Sequence, residues 1–267
     1  MAIITLTTDL GLKDYYVSLI KAAILSQEPE ATIVDISHDV PKFDLLQASF
    51  IIKNSYSAFP EGSIHIVGID ADLKEDRCHL ALKVNGHYFI GADNGIFSLI
   101  FDKVPDEIVE ISLNQDVNYF TFPTKDVFVP AACHIARGGT LEMLGRKKES
   151  LTEMIMLMAT SDKNMIRGNV IYIDDYENVI CNITIDMFND IGKERRFTIY
   201  FRRTEYKITV ISNTYSDVID GEMCALFGST GHLEIAINKG VHGAGGGASS
   251  LLGLAQGDTI RVEFAGE

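Results

Sequence analysis

Two textures meet in this chain, and their order constrains the fold more than any other feature. The first part alternates β-branched runs with stretches of helical period. Ala2 to Thr7, Ala31 to Ile36 and Ser63 to Ile69 read as strands. Between them, Tyr16, Leu19, Ile20, Ala23 and Ile24 fall on one helical face, and Asp44 can cap a helix carrying Leu45, Ala48, Ile51 and Ile52. Strands that alternate with helices imply a mostly parallel, Rossmann-like sheet with right-handed crossovers. His79 to Val84 and His87 to Gly91 flank Asn85-Gly86, a pair that favours a tight hairpin turn. A strand near Glu107 to Ile111 follows, then a helix from about Asp126 to Arg137 that Gly138-Gly139 ends.

From Gly168 onward the texture changes. Short strand-like runs at 168–173, 179–185, 195–201, 206–211, 223–227, 232–237 and 259–264 follow one another, with turns between them and no long helical period. That is the pattern of a small β-barrel or sandwich. The expected organisation is an α/β domain over residues 1–150, a connector over 151–167 and an all-β barrel domain over 168–267.

Composition removes several function classes. With 46% hydrophobic and 22% charged residues, the chain can bury a full core. Its net charge of −14 repels phosphate backbones, so nucleic-acid binding is not expected. No apolar run approaches the ~18 residues of a membrane span. Met1 leads straight into Ala2-Ile3-Ile4-Thr5-Leu6, with no basic stretch and no cleavage site, so a cytoplasmic location is expected. Cys78, Cys133, Cys181 and Cys224 are scattered in no metal-ligand spacing, which reads as reduced thiols rather than a zinc site.

In open α/β sheets, polar residues just past the strand C-termini line the ligand crevice. Asp9, the Asp35 to Asp39 cluster and Asp70 all stand there. His38 sits at a strand end beside that crevice and reads as a turn residue, while His79 and His134 read as structural. The glycine-rich loop at 242–250 has neither the strand-to-helix context nor the spacing of a phosphate cradle.

The motifs gain meaning from their order. Thr7-Thr8-Asp9-Leu10-Gly11 precedes Asp14-Tyr15-Tyr16-Val17 and Asp35-Ile36-Ser37-His38-Asp39-Val40-Pro41. Then come Asp93-Asn94-Gly95, Thr121-Phe122 with Asp126-Val127-Phe128-Val129-Pro130-Ala131-Ala132, and Asp174 with Asn178 and Asn182-Ile183. Phe227-Gly228-Ser229-Thr230-Gly231-His232-Leu233-Glu234-Ile235-Ala236 completes the series. Over nearly the whole chain this resembles the S-adenosyl-L-methionine hydroxide adenosyltransferase family, which also contains fluorinase and chlorinase.

The resemblance implies an α/β domain followed by a barrel, and a homotrimer with sites at its subunit interfaces. The implied substrate is S-adenosylmethionine or adenosine, with no cofactor and no metal. The implied reaction is displacement of methionine at the ribose 5′ carbon. On this basis Asp9 meets the ribose hydroxyls, as a carboxylate that can accept two hydrogen bonds. Asp174 meets the methionine ammonium, Asn178 the adenine, and Ser229 with its neighbouring backbone the methionine carboxylate. Tyr176 takes the place of a family aromatic, Tyr215 offers a stacking face, and Phe122 and Thr124 complete the substrate-binding set. Glu234 also matches the family, in an alternating strand.

At the nucleophile end the sequence departs from the family. Hydrolases of this kind carry Asp-Pro-Gly-Val-Gly followed by Arg, and a His within Thr-Phe-His-Gly-Arg-Asp. Here Asp70 and Arg77 remain as the catalytic pair, but the intervening Pro and Gly residues are replaced by Ala71-Asp72-Leu73-Lys74-Glu75-Asp76. The second segment reads Thr121-Phe122-Pro123-Thr124-Lys125-Asp126, so a proline stands at the histidine's place. Three readings stay open. Asp70 and Arg77 alone support hydrolysis to adenosine and L-methionine; or the protein binds S-adenosylmethionine or adenosine without turnover; or it is a halogenase, with Thr124 where fluorinase has a halide-contacting Ser.

Overall fold

Ile3, Ile4, Thr5, Thr7 and Thr8 give the first strand a β-branched majority, and five of its six residues are buried. Burial on both faces marks a strand covered on either side, as parallel strands are. A computed structural model of the chain describes residues 2–74, 76–112, 121–241, 243 and 245–266, without the side chains of 203–205. Glu75 of the 70–77 segment and His242 of the glycine-rich loop therefore lie outside the described residues. The chain forms two compact units, Met1–Ile155 and Met156–Glu267.

The first unit runs β1 (Ile3–Thr8), α1 (Tyr16–Gln27), β2 (Thr32–Ser37), α2 (Leu45–Lys53), β3 (Ile64–Gly68), β4 (His79–Val84), β5 (His87–Ala92), α3 (Ile96–Ile100), β6 (Glu107–Ile111), α4 (Val129–Ala136) and β7 (Gly145–Lys147). Its seven strands lie in the order β2-β1-β3-β5-β4-β6-β7. The pairs from β2 to β5 are parallel, and those from β5 through β4 and β6 to β7 are antiparallel, so the sheet is mixed. The antiparallel part begins at the β4–β5 hairpin, where Asn85 and Gly86 both take positive φ, 52° and 80°. Two successive left-handed residues make the turn that suits the twist of the strands.

Helices cover both faces. Ile20 and Ile24 of α1 and Val129, Ala132 and Ile135 of α4 pack on Ile4, Leu6, Ile64 and Ile66. Ala48 and Ile52 of α2 and Ile96, Phe97 and Ile100 of α3 close the other core against Val67, Ile69 and Leu80. Each large apolar side chain so buried contributes about 1.5–3 kcal/mol. The Asp44 carboxylate accepts from Gln47 N at 3.0 Å and starts α2 as its position predicts. In α1 the buried face is Val17, Ile20 and Ile24, and Leu19 turns outward.

The second unit comprises β8 (Thr160–Ser161), β9 (Met165–Ile173), β10 (Val179–Thr184), α5 (Ile185–Gly192), β11 (Phe197–Phe201), β12 (Arg203–Ile208), β13 (Met223–Phe227), β14 (His232–Ile237), α6 (Ala248–Leu252) and β15 (Thr259–Phe264). Its sheet is antiparallel and barrel-like, in the order β12-β11-β15-β9-β10-β14-β13, with β8 on β9. Ile166, Val179, Ile183, Ile199, Ile235, Ile260 and Val262 fill its interior. Two short helices interrupt the expected all-strand pattern. The Thr184 hydroxyl accepts from Met187 N and caps α5, which lays Met187, Phe188 and Ile191 on the core.

Candidate active site

The C-terminal ends of β1 and β3 carry the acidic residues of the first unit. Asp9 directly follows β1 and is only 7% exposed. Its Oδ2 accepts from Phe43 N at 2.9 Å, and Asp70 N lies 3.5 Å from the same oxygen. Its carbonyl oxygen takes a hydrogen bond from Lys42 Nζ. The Asp9 carboxylate is thus fixed by backbone donors and keeps acceptor capacity.

Beneath it runs a chain of polar contacts. Thr8 Oγ1 and His38 Nδ1 share a hydrogen bond of 2.7 Å, and His38 Nε2 lies 3.1 Å from Asp35 Oδ1. Lys21 Nζ donates to Asp35 Oδ2 at 2.6 Å. Burial alone would raise the Asp35 pKa, but the hydrogen bonds from Lys21 and His38 outweigh it and hold the carboxyl below its ordinary value. Gly11 N donates to the His38 carbonyl at 2.7 Å, so His38 holds the Thr8–Gly11 segment at one end through its buried ring and at the other through its backbone.

Asp70 lies two residues past β3 in a left-handed conformation, φ 41°. Arg77 Nη1 donates to its Oδ2 at 2.6 Å and to its carbonyl at 3.1 Å. Reciprocal backbone bonds between Lys74 and Arg77 close the intervening loop and turn Arg77 back. The expected pair is therefore brought together without the Pro and Gly residues of the family pattern. Across the end of β3 stands Thr124, 3% exposed. Its Cγ2 and Oγ1 lie 2.8 and 2.9 Å from the point a Gly68 Cβ would occupy, so only glycine admits it there. Thr124 opens a π-helical turn over Thr124–Phe128 that leads into α4. Pro123, buried, precedes it with φ −56° and ψ −36°. Phe122 meets Tyr16 edge-on at 5.4 Å.

The second unit carries the remaining candidates and pairs some of them, Asp174 with Asn178 and Tyr215 with Glu234. Asp174, Tyr176 and Asn178 form the turn from β9 to β10. Both carboxylate oxygens of Asp174 accept from Asn178, from N at 2.8 Å and from Nδ2 at 2.9 Å. Tyr176 is 63% exposed at the turn's tip. The glycine-rich loop packs on this turn, where Gly247 N donates to Glu177 Oε2 at 2.6 Å. Tyr215, 41% exposed, donates its hydroxyl to Glu234 Oε1 at 2.6 Å. Burial raises the Glu234 pKa, the Tyr215 hydrogen bond opposes that, and the charge of Asp174 adds to the rise. Ser229 is exposed in the loop between β13 and β14, where Gly231 takes φ 73°.

Three further residues join these contacts without having been singled out as candidates, although Thr8 and Asn94 lie inside motifs of the ordered series. Lys42 looks like a surface lysine, and Thr8 like strand filler. Asn94 lies in Asp93-Asn94-Gly95, a motif of the ordered series with no role attached to it. Its Nδ2 donates to the Ile69 carbonyl at 2.9 Å and the Asp70 carbonyl at 3.3 Å. Among the described residues, no group of three or more His, Cys, Asp or Glu side chains is arranged to hold a metal ion.

Comparison with known proteins gives this geometry its context. The chain is 27% identical to an (R)-S-adenosyl-L-methionine hydrolase of Thermus thermophilus, over 96% of this chain and 97% of that one. It is 30% identical to a protein of the same name from Methanocaldococcus jannaschii, over 69% of this chain and 68% of that one. A solved structure of an uncharacterized conserved protein from Thermotoga maritima superposes with a TM-score of 0.87 at 30% identity, covering 97% of this chain and 99% of that one. Residues 4–145 match the SAM hydroxide adenosyltransferase N-terminal domain, and residues 168–261 match the C-terminal domain of the same family. With both domains matched in order over most of its length, the chain belongs to the SAM hydroxide adenosyltransferase family.

Proposed function

We propose that this chain hydrolyses S-adenosyl-L-methionine to adenosine and L-methionine, with Asp70 and Arg77 holding the attacking water. Relatives named as hydrolases of that compound support the reaction. The observation that carries the chemistry is the Asp70–Arg77 pair, 2.6 Å apart and anchored to Asp9 through the Asp70 amide. The water oxygen bonds to the 5′ carbon while the carbon–sulfur bond breaks, and its electron pair leaves on sulfur. A sulfonium departs as a neutral thioether and needs no protonation. Positioning, desolvation and removal of one water proton remain for the protein. Asp70 takes that proton or orients the water that loses it, and Arg77 balances the carboxylate's charge.

Asp9 accepts from the ribose hydroxyls. Asp174 meets the ammonium, Asn178 and Tyr215 the adenine, and Ser229 the methionine carboxylate. Phe122, Thr124 and Tyr176 line the same substrate. The protein works in the cytoplasm as a homotrimer whose sites are completed at subunit interfaces, and it uses no metal or cofactor. Light scattering at micromolar concentration tests the assembly, and a monomer refutes shared sites.

The deciding experiment is chromatography of S-adenosylmethionine incubated with the protein, with and without chloride, beside Asp70→Ala and Arg77→Ala. Adenosine above the spontaneous background, lost in either variant, supports hydrolysis. Tight binding without product leaves a binding protein. A 5′-halogenated adenosine marks a halogenase, against which the Asp70 carboxylate counts because it repels an anion.

A further inference from the structure

Asp70 is a non-glycine residue at φ 41°, a strained conformation that persists only where its surroundings impose it. Two side chains impose it. Arg77 Nη1 reaches the Asp70 carbonyl and carboxylate together. Asn94 Nδ2 grips the same carbonyl at 3.3 Å and the preceding one, Ile69 O, at 2.9 Å.

Asn94 is held in turn. It is 8% exposed, and its Oδ1 accepts from Ile96 N at 3.2 Å at the start of α3. Asp93 beside it takes Thr152 N at 2.8 Å and Lys148 Nζ at 3.1 Å. The carboxamide therefore projects from an anchored segment onto two successive carbonyls. Those carbonyls bracket the Asp70 peptide whose N–H faces Asp9 Oδ2. A rotation at Asp70 that relieved the strain would carry its carboxylate off Arg77 and its amide off Asp9.

We propose that Asn94 is a positioning residue for the hydrolytic step, its side-chain amide fixing the left-handed turn that presents the Asp70 carboxylate to the attacking water. This rests on the hydrolase reading of Asp70. Asn94 touches no reacting atom in this account and acts only through the Ile69 and Asp70 carbonyls.

Asn94→Asp separates clamp from cap. The new side chain keeps an acceptor for Ile96 N and loses the two donations. Adenosine formation should fall about tenfold or more in kcat with KM changed less than twofold, because the displaced group acts on water rather than on substrate. In an Asp70→Ala background the same substitution should change the residual rate less than twofold, since the residue it acts through is gone. Asn94→Ala serves as the second variant, with circular dichroism and a melting curve confirming the fold. An unchanged kcat in Asn94→Asp overturns the proposal, and so does an equal fall in both backgrounds. A crystal structure of Asn94→Asp decides the matter independently of turnover. Asp70 leaving positive φ supports the clamp, and Asp70 staying near 41° with Arg77 still paired overturns it. Absence of adenosine from the unsubstituted protein would refute the hydrolase reading and leave the crystallographic arm standing.

Discussion

One nitrogen of Arg77, Nη1, donates both to Oδ2 of Asp70 at 2.6 Å and to its main-chain carbonyl at 3.1 Å. A single guanidinium therefore sets the rotamer and the backbone of the same acid. Lysine can supply the charge as a point but not the rigid planar group that fixes the two N–H directions of Nη1 toward the two acceptors. Arg77→Lys should lower kcat for adenosine formation roughly 10–100-fold, within the range that positioned proton transfer supplies. Initial rates by chromatography measure this, and a rate within twofold of the unsubstituted protein would refute it.

The observed and the proposed contacts of Asp9 separate by substitution. It accepts Phe43 N at 2.9 Å, and the proposed site asks it to accept the ribose hydroxyls as well. Asp9→Ala removes every acceptor and should weaken S-adenosylmethionine or adenosine by roughly 1–3 kcal/mol. Asp9→Asn keeps one oxygen for Phe43 N and should fall between. Calorimetry checks both, and an unchanged affinity in Asp9→Ala removes Asp9 from the ribose.

Much of this was legible because local chemistry agreed with global packing. β6, β13, β14 and β15 span the stretches their β-branched and alternating residues predict, and Asp44 caps α2. The places of Asp9 and Asp70 just past β1 and β3 were legible from the strand runs that precede them, and strand ends in such sheets are where polar side chains can meet a ligand. Helix α5 was not, since its eight residues sit among strands and carry too short a period to stand out. The left-handed turn at Asp70 was hidden for a different reason. Positive φ is ordinarily announced by glycine, and here a non-glycine residue is held there by Arg77 and Asn94, seven and twenty-four positions away.

Acid should loosen the first unit through a pair of histidines. His65 Nε2 and His87 Nδ1 stand 3.2 Å apart, both rings are buried, and Thr5 Oγ1 holds His65 Nδ1 at 2.8 Å. Burial, with repulsion from His87, lowers the His65 pKa to about 3, and burial lowers His87 as well. A histidine whose folded pKa lies below its unfolded value binds its proton more readily in the unfolded chain. Stability is then fully present above about pH 6.5 and is lost as pH falls toward 3, at up to about 1.4 kcal/mol per pH unit for one such group. His65→Gln keeps a polar partner for Thr5 and cannot titrate. Urea unfolding between pH 7 and 4 should show a shallower decline in this variant, and parallel curves would refute the assignment.

The sharpest test lies at position 123, where the family resemblance places a histidine and this chain has proline. Pro123 is buried with φ −56° and ψ −36°, angles any L-residue adopts, at the head of the π-helical turn that carries Thr124. Replacing the ring therefore demands no new backbone conformation. Phe122 O still accepts from Lys125 N at 3.1 Å and Asp126 N at 3.0 Å, so the turn keeps its closure. If Asp70 and Arg77 orient the water but no second base assists, an imidazole at this place adds the missing proton acceptor. Pro123→His should then raise kcat by as much as ~10²-fold, with a new dependence on a group titrating near pH 6.5. A faster reaction with no such titration would assign the gain to altered packing, and an unchanged rate would show that the Asp70–Arg77 pair needs no partner there.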